Sequence, residues 1–104
     1  MSRIEKLLEF LAASPTDSFL QHALALEYIK EGNDTRAREL FETLLAREPD
    51  YTGSYYHLGK LLERAGDNPG AMDIYRQGMA ACKKAGDNHA YNELQGALEE
   101  LEDW

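Results

Sequence analysis

An all-α fold of about six antiparallel helices is what this 104-residue sequence predicts, on three observations. Every long segment carries apolar residues at steps of three and four, the spacing of one helix face. Glycine paired with Asp and Asn punctuates the chain at Gly32-Asn33-Asp34, Gly66-Asp67-Asn68 and Gly86-Asp87-Asn88. The chain also resembles itself when shifted by 34 residues: Pro15 falls on Pro49, Gly32 on Gly66, Ala37 on Ala71 and Phe41 on Tyr75.

The helices follow in order. Ile4, Leu7, Leu8 and Leu11 mark the first, over 2–13, and Leu20, Leu24 and Tyr28 the second, over 18–31. Leu40, Phe41, Leu44 and Leu45 mark 34–47, and Leu58, Leu61 and Leu62 mark 52–65. Met72, Tyr75 and Met79 mark 68–83; Leu94, Leu98 and Leu101 mark 87–102. No stretch alternates apolar and polar residues long enough for a half-buried strand. At each joint glycine can take the left-handed conformation that ends one helix, and the following Asp or Asn can cap the next. Pro69 falls where a helix's first turn has no use for its missing N–H. Pro15 and Pro49 mark the remaining joints.

A 34-residue period built on helix pairs is the spacing of tetratricopeptide repeats. The sequence resembles that family at Leu24, Ala25, Tyr28, Ala37, Phe41, Leu44 and Pro49 in a first unit over 18–51. Tyr55, Leu58, Gly59, Leu62, Ala71, Tyr75 and Gly78 carry the likeness in a second unit over 52–86. Small Ala25, Gly59, Ala37 and Ala71 let paired helices approach, and Phe41, Tyr55 and Tyr75 fill the space between. The same shift puts Leu7 on Phe41 and Phe10 on Leu44, so 2–15 looks like the second helix of a half repeat. The last helix has Asn92, Glu93 and Gly96 where the motif expects Leu, Gly and Tyr, and it resembles a capping helix over 87–102. The resemblance thus implies one domain over 1–104, an α-α superhelix of half a repeat, two repeats and a cap.

In tetratricopeptide proteins the first helix of each repeat lines a concave groove that holds a peptide or helix of another protein. By repeat position the resemblance assigns Phe19, His22, Leu26 and Ile29 to that groove from one unit. Gly53, Tyr56, Lys60 and Glu63 follow from the other, with Ala90, Leu94 and Ala97 as candidates from the cap. Apolar side chains outside the repeat's own packing positions suggest a contact surface, covered by an external partner, by the cap helix or by a second copy of the chain. Members of the family that grip a C-terminal carboxylate use Lys and Asn where this chain has His22 and Leu26, and Asn where it has His57. That clamp is absent here. The implied function is a protein-interaction adaptor, with weak homo-oligomerisation as the alternative.

Composition narrows the partners. A net charge of −8 with no basic stripe works against nucleic acid and anionic membrane surfaces, and favours a basic partner. No apolar run approaches the ~18 residues of a membrane span, and a single cysteine, Cys82, suits a reducing compartment. A cytoplasmic protein is expected.

No nucleophile elbow, phosphate loop, zinc-protease motif or paired metal-spaced cysteines occur, so no enzymatic activity and no cofactor are expected. His22 and His57 lack an Asp, Cys or third His at a supporting helical spacing and are read as groove or surface residues, with no metal role. Cys82 is read as a small buried residue; a redox role would need a lowered thiol pKa, with Lys83 and Lys84 as the adjacent charges. Glu99, Glu100, Glu102 and Asp103 form a solvated acidic face, and Trp104 is expected to fold back on the last helix.

Overall fold

Six helices occupy the described residues, 1–102, of the computed structural model. They are α1 (Arg3–Ala13), α2 (Ser18–Lys30), α3 (Asp34–Arg47), α4 (Gly53–Arg64), α5 (Asn68–Ala85) and α6 (Asn88–Glu102). Each lies within two residues of its expected bounds. The expected fold-back of Trp104 lies outside the described residues. The chain divides into two compact units, Met1–Glu48 with α1 to α3 and Pro49–Trp104 with α4 to α6.

Local chemistry sets these boundaries. Ser2 and Glu5 form a reciprocal capping box at the start of α1. Asp17 accepts from the Leu20 amide at 3.0 Å, Asn33 from Arg36 at 3.2 Å, Asp67 from Gly70 at 2.9 Å and Asp87 from Ala90 at 3.1 Å. Thr52, ahead of α4, makes no such cap; its hydroxyl donates to Asp87 at 2.8 Å. Gly32, Gly66 and Gly86 have φ of 77°, 83° and 73°, the left-handed region that penalises any residue with a Cβ. In all three joints the next amide reaches back five residues, Asn33 to Tyr28 O, Asp67 to Leu62 O and Asp87 to Cys82 O, at 2.8 to 2.9 Å. That bond satisfies a carbonyl the ending helix leaves without an internal partner.

In the first unit α2 packs against α1 and α3. Leu24, Ala25, Ala37, Phe41 and Leu44 are almost completely buried, which makes α2–α3 a tight pair. α1 departs from the register expectation. Phe10, the counterpart of Leu44, is 58% exposed, Leu8 is 43% exposed, and Leu7 alone in this helix is fully buried. The helix has α2 as its packing neighbour, so only the stripe turned towards α2 is covered.

In the second unit α5 packs against both α4 and α6. A Cβ on Gly59 would stand 2.1 Å from Tyr75 Cε1, so α4 rests its backbone directly on the Tyr75 ring. A Cβ on Gly78 would meet Tyr55 Cβ at 2.6 Å and Leu94 Cδ1 at 2.8 Å. The two repeats reach similar packing by opposite choices at matched positions. Where the first has Ala25 with Phe41, the second has Gly59 with the larger Tyr75; where the first has Gln21 with Leu44, the second has Tyr55 with Gly78. Volume removed from one helix is returned on its neighbour, as close-packed interiors require. Leu94, Ala97 and Leu98 bury the inner face of α6.

A polar tie recurs in each repeat. Gln21 Nε2 donates to Pro15 O at 3.1 Å, and 34 residues on, Tyr55 OH donates to Pro49 O at 2.5 Å. Each bond pins the start of a repeat's first helix to the proline joint before it, and it gives a buried polar group its partner.

Candidate protein-binding faces

The seven candidate groove residues divide between the units and are described in turn. On α2, Leu24, Ala25 and Tyr28 point into the core, which turns Phe19, His22, Leu26 and Ile29 onto the adjoining face by the 100° advance per residue. Phe19 is 71% exposed, the most open aromatic ring among the large apolar residues of the described chain. His22, Leu26 and Ile29 are half-buried, and the His22 ring meets Phe41 edge-on at 5.5 Å between centroids. Beside this face Glu27, with its side chain 13% exposed, pairs with Arg3 at 2.6 Å and Lys30 at 3.4 Å. The result is an apolar strip bordered by an occupied ion cluster.

On α4, Tyr56, Lys60 and Glu63 share a face away from buried Leu58 and Leu62. Lys60 Nζ stands 5.5 Å from the Tyr56 ring centroid and 3.4 Å from the Glu63 carboxylate. Glu63 also accepts the hydroxyl of core residue Tyr75. Burial, then that hydrogen bond and the Glu63 charge, push the Tyr75 phenol far above its usual range, so it stays a donor. Lys60 and Glu63 are therefore tied into the unit's interior, and Tyr56 presents the half-buried aromatic surface.

Of the further candidates, Gly53 is exposed and Ala90 half-buried, whereas Leu94 and Ala97 are buried. Leu94 belongs to the packing over Gly78, which removes it from any binding face. His57 stacks edge-on to Tyr56 at 5.8 Å, and its imidazole pKa is lowered by burial, against an opposing pull from Glu93. Among the described residues no group of three or more His, Cys, Asp and Glu could hold a metal. Cys82 is 1% exposed, and its thiol pKa is raised by burial and by the charge of Asp87. The direction is opposite to the one a reactive thiolate needs, so Lys83 and Lys84 do not activate it. Also among the described residues, no helix is long and apolar enough to cross a membrane.

Sequence reasoning overlooked Arg47. Its guanidinium donates to Ser18 Oγ and Gln21 Oε1, both at 2.9 Å, while Ser18 donates to Glu48. A charged residue at a helix end ordinarily reads as a solvated one; the 34-residue match of Gln21 to Tyr55 was the available signal that this neighbourhood is structural.

Helix pairs with glycine-ended joints, small-on-large packing and an apolar strip on the first helix define a helical-repeat protein of the kind that generally serves protein–protein interaction. The tetratricopeptide repeat family signature matches residues 17–51. A TPR repeat-containing protein of Pseudomonas aeruginosa is 31% identical over 99 residues, 95% of this chain and 94% of that one. The crystal structure of a tetratricopeptide repeat domain protein from Salinibacter ruber is 44% identical, with a TM-score of 0.81 over 84% of this chain and 97% of that one. A protein of Bordetella parapertussis, solved in solution, is 28% identical with a TM-score of 0.84, covering 99% and 90% of the two chains. The chain belongs to the tetratricopeptide repeat family, whose members are generally non-enzymatic scaffolds.

Proposed function

We propose that this protein is an adaptor that holds a peptide or helix of a partner protein against the first helices of its repeats. Phe19, His22, Leu26 and Ile29 would supply the apolar contact, with Tyr56, Lys60 and Glu63 contributing from the second repeat. The chain is taken as one functional domain of a half repeat (2–15), two repeats (18–51 and 52–86) and a cap (87–102), working in the cytoplasm. The observation that carries the reading is Phe19, 71% exposed and continuous on one helix face with half-buried Leu26 and Ile29. Aromatic side chains, phenylalanine included, are enriched in the buried cores of protein interfaces relative to the rest of the surface. The acid excess, −8 overall, favours a partner segment carrying basic residues.

The combined F19A, L26A and Y56A variant tests it. Its helical circular dichroism should match wild type, because none of the three is a core residue, while a partner captured by wild type should be lost. Equal capture by the two proteins excludes the face.

Self-association is the second reading, favoured by one observation: Leu8 and Phe10 of α1 are exposed, as is Phe19 in the same unit. Sedimentation across a concentration series decides it, since a monomer at high concentration leaves these residues without a second copy.

A further inference from the structure

The second unit holds an open cavity of about 620 Å³ on the side of α5, floored by Ala80, Ala81 and Ala85 and walled by Pro49, Asp50 and Tyr55, with Lys84 on its rim. The first repeat shows what such a space accommodates. Ala81 is the 34-residue counterpart of Arg47, Tyr55 of Gln21, Thr52 of Ser18 and Pro49 of Pro15. In the first repeat the Arg47 guanidinium lies across this neighbourhood, donating to Ser18 Oγ and Gln21 Oε1 at 2.9 Å each. In the second, Ala81 replaces the guanidinium side chain with a methyl group, and Tyr55 remains in the lining. Tyr55 OH donates its proton to Pro49 O, so its oxygen keeps a lone pair for an incoming donor. Asp50 adds a carboxylate at the wall, which the first repeat lacks, since Thr16 stands at that position.

We infer that this cavity is a docking site for an arginine side chain of a partner protein, taking the place that Arg47 fills within the first repeat. The alanine floor and the Tyr55 ring suit the aliphatic stem, and Asp50 with the Tyr55 hydroxyl oxygen suits the planar guanidinium, whose donors fan out to several acceptors at once. Lys84 opposes a cation from the rim; its side chain is exposed and flexible, and its charge limits the affinity without blocking the space. The site is distinct from the α2 and α4 faces, so its failure leaves the adaptor reading standing and the converse also holds.

The test uses the full chain in a heteronuclear NMR titration with N-acetyl-argininamide, beside N-acetyl-lysinamide and N-acetyl-leucinamide. The arginine probe should give saturable shifts at Ala80, Ala81 and Tyr55 in the millimolar range, at least about fivefold tighter than the other two, about 1 kcal/mol by the tenfold-per-1.4 rule. D50N should weaken it severalfold, and K84Q should tighten it. A81R should place an internal guanidinium in the cavity, raise the melting temperature and abolish the saturable shifts. Absence of saturable shifts with the arginine probe, equal or stronger binding of the leucine or lysine probe, or undiminished binding by D50N or by folded A81R overturns the assignment. D50N keeps the test decisive should A81R not fold.

Discussion

Replacing Gly59 with alanine adds one methyl group, and the methyl would stand 2.1, 2.6 and 2.7 Å from three atoms of the Tyr75 ring. The ring cannot easily retreat. It is fully buried, and its hydroxyl is anchored on Glu63. Overpacking of this kind costs about 1–3 kcal/mol, and three ring atoms in the way put Gly59→Ala at the upper end. The helix-propensity gain of alanine over glycine returns about 1 kcal/mol, leaving a net loss of about 2 kcal/mol. For a chain of this size that lowers the melting temperature by about 10 °C. Thermal unfolding followed by circular dichroism at 222 nm measures it. The first repeat supplies the control, because alanine and phenylalanine occupy the matched positions 25 and 41. Tyr75→Phe releases the ring from Glu63, so the Gly59→Ala/Tyr75→Phe pair should be more stable than the sum of the single losses by about 1 kcal/mol. A melting temperature at or above wild type for Gly59→Ala, or strict additivity of the two changes, would refute the claim that α4 rests its backbone directly on the Tyr75 ring.

Other expectations follow from the same geometry. Gly66→Ala meets nothing within 4 Å, yet its φ of +83° should cost about 1–2 kcal/mol, visible in the same melts; a neutral result would mean the joint relaxes. His57 has a folded pKa lowered by burial, so its contribution to stability is complete above the ordinary histidine range, where both states are neutral. It is lost as pH falls below about 6.5, where the unfolded chain takes up a proton first. His57→Asn should therefore flatten the fall in melting temperature between pH 7 and 5.5, and an unchanged slope would contradict the burial account. Cys82 should react with a thiol reagent at least tenfold more slowly in the native protein than in urea, and equal rates would show that α5 opens readily.

Turn chemistry and the 34-residue period were legible in the sequence because both are local. Gly32, Gly66 and Gly86 and the Asp or Asn after each carry their conformational preference in their own side chains. The small positions Ala25, Ala37, Gly59 and Ala71 were legible as close-approach points for the same reason. What was not legible depends on neighbours. Phe10 shares a repeat position with fully buried Leu44, yet it is exposed because burial depends on which helices lie alongside and not on register. Leu94 has the spacing of a binding face, but it is drawn inward by the space above Gly78, two helices' contributions that no single segment reveals. Arg47 carried no signal in its own segment, because its partners Ser18 and Gln21 lie 29 and 26 residues earlier. Lys60 and Glu63 were assigned to the groove by repeat position, while their tie to Tyr75 required the fold.

Site-specific photo-crosslinking tests the adaptor account most directly. Benzoylphenylalanine is placed at position 19 on the exposed face of α2, at position 56 on α4, and at position 95 on the exposed polar side of α6 as the control. The account predicts that positions 19 and 56 crosslink to the same partner protein in cells, and that position 95 gives no such product. Crosslinks to that partner from position 95 but from neither 19 nor 56, or crosslinks from 19 and 56 only to a second copy of the chain, would contradict it.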